Sequence, residues 1–173
     1  RHFESLDLET FNFSLLTRSL RITHSDLKLR DHEYTEGINH HFAHQAFTAI
    51  GQEVPPDIPP PMFTPFRLRD MHLSNRIVLA PMCQYQAVNG CPNHWHLVHL
   101  VSRAVGGCAL IITEMTNISE TARITPGCTG LYNDEQEQAW GDIVTAIHQQ
   151  SDAKVCLQLG HAGRKASTRL LWE

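Results

Sequence analysis

Three short apolar runs separated by two segments of helical patterning constrain this chain more than any other feature. Arg76–Ala80, Ala109–Glu114 (ALIITE) and Lys154–Leu159 (KVCLQL) each read as a buried strand. Between the first two, Asn93 is placed to cap a helix running to Val105, with Trp95, Val98, Val101 and Val105 expected inward and Gly106-Gly107 as its stop. Between the second and third, Asn133 and Gln136 form a capping-box pattern opening a helix that buries Ala139, Trp140, Ile143 and Ile147. Ahead of all these, Phe66–Leu68 and His72–Leu73 flank a tight turn at Asp70 and read as a small hairpin. Strands alternating with helices argue a parallel sheet with right-handed crossovers. The pattern fits the first part of a doubly wound sheet or of an eightfold barrel, and periodicity leaves both open.

A proline spacer, Val54 to Pro61 (VPPDIPPP), divides this region from what precedes it. Proline removes backbone donors and fixes φ, so the run favours polyproline II and acts as a semi-rigid linker. The organisation expected is a first segment of residues 1–54, a linker of 55–61 and an α/β region of 62–173. In the first segment Leu15 to Leu29 alternates loosely, with Leu20, Ile22, Leu27 and Leu29 reading as short strands around a Thr23–Asp26 turn. Asp31 then caps a helix with Tyr34, Ile38, Phe42, Ala46 and Ala49 on one stripe, closed by Gly51. His40 and His44 fall opposite that stripe and are expected to face solvent. This segment is too small to be stable alone.

Composition narrows the function. Hydrophobic residues at 42% and charged residues at 18% fit a globular protein, and a formal charge of −4 without a basic run argues against nucleic acid and anionic membrane as partners. No apolar segment approaches the ~20 residues of a membrane span. No signal peptide is expected at Arg1, and from the start without Met and the ending Leu170-Leu171-Trp172-Glu173 a piece of a longer chain is expected. The five cysteines are odd in number and lack C-x-x-C spacing, which favours a reducing cytoplasm over a disulfide scaffold. Cys83, Cys91 and His94 match no common zinc spacing, and the histidine clusters read as surface or capping residues, so no metal site is expected.

The strand ends carry the chemistry. The first gives Cys83 and Tyr85 after Pro81; the second gives Glu114, Met115 and Thr116; the third gives Gln158, His161, Arg164 and Lys165. Soft and polar groups converging on the C-terminal rim are the pattern of a barrel active site. Neither a G-x-G-x-x-G turn nor a serine nucleophile elbow is present.

Four ordered motifs, FTPFRLRDMHLSNRIVLAPMCQY, VSRAVGGCALIITE, ARITPGCTGLYNDEQ and QLGHAGRKA, resemble the Old Yellow Enzyme family of FMN-dependent ene-reductases, in its cysteine-containing class. The resemblance covers Met62 to Glu173. It implies an α/β fold, the N-terminal part of a (β/α)8 TIM barrel with the hairpin and the first three βα units. It implies an NAD(P)H-reduced FMN that delivers hydride to an activated C=C. Ala80, Pro81, Met82 and Cys83 would line the flavin, with Cys83 on its carbonyl edge. Tyr85 would reach the substrate carbonyl or donate a proton. Met115, where the family commonly has small residues, would touch the flavin through its main chain, and Gln158 would read the pyrimidine edge. His161, Arg164 and Lys165 are further candidates. The resemblance puts the substrate-gripping histidine or asparagine pair and the phosphate loops beyond Glu173, so the isolated chain is expected to be inactive.

In the first segment, FSLLTRSLRIT followed by LKLRD is similar to the tail of a single-component FAD aromatic hydroxylase. Joined to such a barrel, it resembles the fused monooxygenase/reductases of aromatic acyl-CoA thioesters. That implies an upstream FAD domain, a dearomatised acyl-CoA or enone as the small-molecule substrate, and a homo-oligomeric parent. A stand-alone ene-reductase with an accessory N-terminal segment, and a non-catalytic metal-binding or assembly module, are the alternatives.

Overall fold

A computed structural model of the chain describes residues 7–18, 32–166, 168–170 and 172. The chain forms two compact units, residues 1–61 and 62–173.

In the first unit Asp7 caps a helix, α1 (Leu8–Thr17), by accepting from the Thr10 amide at 2.9 Å and the Thr10 hydroxyl at 2.7 Å. The helix ends at Arg18 in the left-handed conformation, φ 56°. Residues 15–17 are therefore helical, which corrects the extended reading from Leu15: the Asp7 cap outweighs a loose alternation. The strands expected at Leu20, Ile22, Leu27 and Leu29, their turn, and the Asp31 cap lie outside the described residues. A second helix, α2 (His32–Ala49), buries Ala43 and Ala46. The expected stripe is rotated: Phe42 is 37% exposed, Ala49 is exposed and Ile38 half-buried, while the side chain of Tyr34 lies outside the described residues. Apolar residues at 42, 43, 46 and 47 admit two adjacent stripes, and the one through Ala43 is used. His40 and His44 are exposed as expected, and His41 is exposed with them. Gly51 closes the helix at φ 72°, a conformation in which glycine avoids the Cβ clash.

The second unit opens with the hairpin β1 (Phe66–Leu68) and β2 (Met71–Leu73), paired Phe66 with Leu73 and Leu68 with Met71. Three parallel strands follow, β3 (Val78–Leu79), β4 (Leu110–Ile112) and β6 (Lys154–Cys156), with α3 (His94–Val105) and α4 (Asp134–Gln150) as crossovers. Their spatial order is their chain order. Leu79, Ile111 and Val155 share one row across the sheet and pack with Leu100 and Ala104 of α3 and Trp140, Ile143 and Ile147 of α4. Both helices thus cover the same face. A doubly wound sheet reverses its strand order and carries helices on both faces, whereas a barrel does neither. One βαβαβ half of a doubly wound sheet has this same order and single covered face, so these three strands fit both folds; they form an open sheet with two complete βα units and the third strand. After that strand the described chain has only a short turn at Gly163–Lys165.

Two short strands, β5 (Thr116–Asn117) and β7 (Leu159–Gly160), continue β4 and β6 as a second parallel pair. Between the pairs the ladder is interrupted, and the Thr113 hydroxyl accepts from the Gln158 amide at 3.2 Å in place of a backbone carbonyl. The Gln158 carbonyl in turn accepts from Thr116 N at 2.7 Å. This break places Met115 and Gln158 at the rim.

Burying Ile111 and Ile147 completely contributes about 2–3 kcal/mol each. The face of α3 differs from expectation. Trp95, Val98 and Val105 are 56%, 63% and 60% exposed, and His96, Leu100 and Ala104 face inward with Leu97 and Val101 beside them; of the expected four only Val101 packs on the core. Two apolar stripes are available in the helix, one through Trp95, Val98, Val101 and Val105 and one through Leu97, Leu100, Val101 and Ala104, so its period has two solutions. The true one is selected by its cap: Asn93 Oδ1 accepts from Trp95 N at 2.9 Å, and His96 Nδ1 accepts from Asn93 N at 3.0 Å, turning the imidazole inward. In α4, Asn133 Oδ1 accepts from Gln136 N at 2.9 Å, but Gln136 Oε1 accepts from Tyr132 N instead of returning to Asn133, so only half of the expected box forms. Gln136 also donates to Asn89 O at 3.0 Å, and this long-range tie draws its fully buried side chain away. Ala139 is half-buried; Trp140, Ile143 and Ile147 are buried as expected.

Candidate functional site

Two loops meet at the C-terminal end of the parallel strands. The first follows β3, where Pro81 ends the ladder and Met82, Cys83, Gln84 and Tyr85 turn away. Tyr85 takes a left-handed φ of 56°, and a Cβ placed at Gly127 would lie 2.5 Å from its carbonyl oxygen and 2.8 Å from Leu170 Cδ2. Only glycine lets the second loop, residues 118–131, approach so closely. Gly127 O accepts from Ala87 N at 2.9 Å, joining the loops.

Cys83 is half-buried. Burial pushes its thiol above the ordinary range; the Met115 amide opposes this and the Glu114 carboxylate adds to it. Tyr85, half-buried, is also raised, by burial first and then by neighbouring Cys83, Cys128 and Glu114. Both groups keep their protons at neutral pH and are therefore donors. Ala80 and Met82 are exposed and Pro81 half-buried.

Met115 is half-buried, its carbonyl accepting from the Thr129 hydroxyl at 3.3 Å. Its side chain lies over Gly160, where a Cβ would collide with the Met115 Cγ and Sδ. The space above Gly160 is thus filled by the larger residue at 115. Gln158 has its backbone held by Thr113 and Thr116 and its side chain exposed. His161 is exposed and accepts locally from Gly163 N at 2.9 Å. Arg164 is exposed, and the side chain of Lys165 lies outside the described residues. Cys83, Tyr85 and Met115 therefore share one neighbourhood, with Gln158 tied to its edge; the side-chain hydrogen bond of His161 among the described residues is the local one from Gly163.

Two residues of this neighbourhood carry no role in the sequence reading. Glu114 is 4% exposed and accepts from Gln84 N at 2.8 Å; His96 Nε2 stands 2.8 Å from its other oxygen. Glu114 is visible in the sequence as a strand-end carboxylate and His96 as one of a histidine cluster, but their pairing spans the fold. A groove of about 480 Å³ runs beside Tyr85, lined among others by Val88, Arg123, Pro126 and Trp172. Among the described residues no three His, Cys, Asp or Glu side chains converge as metal ligands, and no helix is long and apolar enough to cross a membrane.

Comparison with known proteins agrees with this architecture. The profile of the NADH:flavin oxidoreductase / NADH oxidase family matches residues 61–171. The chain is 45% identical over 107 residues to the NADPH dehydrogenase of Listeria welshimeri, covering 61% of this chain and 31% of that protein. The NADPH dehydrogenase of Bacillus subtilis is 38% identical over the same length, with the same shares. The chain spans about a third of the length of the curated relatives it matches. Among solved structures, morphinone reductase in complex with tetrahydroNAD superimposes with a TM-score of 0.57 at 35% identity, over 62% of this chain and 29% of that one. The old yellow enzyme from Trypanosoma cruzi gives 0.56 at 30%, over 62% and 28%. The expected fold class, the first part of a (β/α)8 barrel, stands.

Proposed function

We propose, for a chain that belongs to the NADH:flavin oxidoreductase / NADH oxidase family, that it forms the first part of an FMN-dependent ene-reductase reduced by NAD(P)H. The observation that carries this reading is the meeting of two proton-holding donors, Cys83 and Tyr85, with the main chain of Met115 and the amide of Gln158 at the C-terminal rim of a one-sided parallel sheet.

The donor set suits a flat ring with polar edges. Ala80, Pro81 and Met82 offer a floor with exposed positions at 80 and 82. The Cys83 thiol, kept protonated by burial, donates to a carbonyl edge and so favours the more negative reduced ring. The Gln158 amide both donates and accepts, which suits a pyrimidine edge. FMN, when bound, supplies the hydride chemistry toward an electron-poor C=C. Tyr85 supplies an O–H to the substrate carbonyl or a proton to carbon, and Met115 narrows the rim over Gly160. His161, Arg164 and Lys165 are assigned supporting roles at the third strand end.

The wider assignment is a fusion. Residues 1–54 are read as the tail of an upstream FAD hydroxylase and 55–61 as its linker to the barrel, on the similarity of FSLLTRSLRIT and LKLRD to such tails. In that parent, a homo-oligomer, a ring hydroxylated by the FAD domain leaves a dearomatised, conjugated acyl-CoA, whose thioester activates the C=C for the barrel. The free state of the five cysteines supports a reducing cytoplasm. A stand-alone ene-reductase is favoured instead by the relatives named NADPH dehydrogenase, whose similarity covers 61% of this chain. Family membership weighs against a non-catalytic metal module.

The test is anaerobic oxidation of NADH or NADPH by the full-length protein with cyclohex-2-enone as acceptor. Enone-dependent oxidation with formation of the saturated ketone is expected; its absence in FMN-loaded protein counts against the assignment. The 173-residue chain alone is expected to bind FMN weakly or not at all, and tight yellow reconstitution of it would refute that.

A further inference from the structure

We infer that Glu114 is a positioning residue, holding the Met82–Tyr85 loop and with it the Cys83 thiol and the Tyr85 phenol. The inference rests on the flavin reading above only for what those two groups then do. A carboxylate as buried as Glu114 is costly unless it is paired and hydrogen-bonded. Its Oε2 accepts from the backbone N–H of Gln84, the residue between Cys83 and Tyr85, at 2.8 Å. Its Oε1 lies 2.8 Å from His96 Nε2, off the line of a good hydrogen bond. The imidazole cannot turn to suit itself: Asn93 N–H donates to Nδ1 at 3.0 Å, so Nε2 carries the ring proton and faces the carboxylate. One carboxylate thus joins the end of β4, the cap of α3 and the loop after β3.

The side chain of Gln84 extends the same hold. Its Nε2 donates to Met82 O at 2.8 Å, and its Oε1 accepts from Trp95 Nε1 at 3.0 Å. The Met82–Tyr85 segment is therefore fixed at Met82 and Gln84 before it enters the left-handed turn at Tyr85, a conformation that persists in a non-glycine residue only when its surroundings impose it. The cavity beside the pair, about 10 Å³ and bordered by Met82, Gln84, His96 and Trp140, has room for at most one water, so the pair is not itself a ligand site. A pair serving stability alone could be replaced by apolar groups of similar shape. The amide next to Cys83 is what that replacement would release.

The experiment uses the full-length protein and peptide-mapped alkylation by iodoacetamide. In Glu114→Leu no acceptor is left for the Gln84 N–H, so the loop opens locally. Alkylation of Cys83 is expected to rise about tenfold while that of Cys128, which is fully buried, stays at the wild-type rate. An equal rise at both cysteines, or none at Cys83, would overturn the inference. Amide exchange of the wild-type protein decides the matter if the variant fails to fold: the Gln84 amide is expected to be strongly protected, and exchange at the free-peptide rate would overturn it. Where the wild-type protein holds FMN, the variant's flavin midpoint potential is expected to move, and Glu114→Asp to restore it in part; an unmoved potential would overturn the inference. A wild-type protein without FMN would instead sink the flavin reading, leaving the alkylation and exchange results to decide the role of Glu114.

Discussion

The two faces of the parallel sheet are made of neighbouring residues on the same strands and have opposite characters. Leu79, Ile111 and Val155 lie under α3 and α4 in an apolar cluster. Val78, Lys154 and Cys156, one position away, are exposed, Val78 to 43%. A parallel sheet is ordinarily covered on both sides, and in a barrel the second side is covered by the opposite strands. Stability in this unit therefore resides on one face. The groups with chemistry to offer stand at the rim, where the polar ties of Glu114, Thr113 and Gln136 take over from apolar packing.

Substitutions divide along the same line. Trp140→Ala on the covered face is expected to destabilise the protein by about 3–5 kcal/mol, read from urea unfolding, because it empties the cluster and breaks the 3.2 Å bond from its Nε1 to Gly130 O. A loss below about 1 kcal/mol would mean that this face is not the principal core. Gly127→Ala, where the two loops touch, is expected to cost about 1–3 kcal/mol, since its Cβ meets backbone that must shift. The same variant should change the ultraviolet signature of Tyr85, and an unaltered signature would separate the loops. Asn133→Ala removes a cap and is expected to cost about 1 kcal/mol by the same unfolding measurement.

At the rim the effect moves from stability to ligand. Gln158→Ala is expected to leave stability within about 0.5 kcal/mol and to weaken FMN binding by about tenfold, the loss of one good hydrogen bond. Titration of the full-length apoprotein with FMN checks this, and a stability loss without a binding loss would reverse the comparison. The smallest effect is a pH limb. Because burial raises the Cys83 thiol, the unfolded chain ionises first as pH rises, so the contribution is complete below the ordinary thiol range and falls away as pH climbs through and above it. Cys83→Ala should flatten that alkaline decline; a decline identical in both proteins would place its origin elsewhere.

The covered face and its punctuation were legible in the sequence. Asn93 and Asn133 cap where they should, the hairpin pairs around Asp70, and the three apolar runs are the three parallel strands. Which of its two apolar stripes α3 buries was not legible. Trp95 and Val98 look like core residues, and only the His96 cap, facing Glu114 from another strand end, turns the helix the other way. The half-formed box at Gln136 has the same cause, a partner at Asn89 far away in sequence. Strand-end position alone offers Cys83, Tyr85, Met115 and Gln158 among many polar and soft residues, and it is the family motifs around them that single them out. Glu114 stands among the same strand ends, but its role could not be read, because its partners Gln84 and His96 come from other segments of the fold.

The central claim is that the rim of this sheet is one side of an FMN site. It is tested most directly by acid extraction and chromatographic identification of the flavin from the full-length protein. FMN is the predicted result, and FAD alongside it would carry the assignment on to the fused hydroxylase. FMN alone would keep the barrel reading and remove the hydroxylase; no flavin at all would contradict the account.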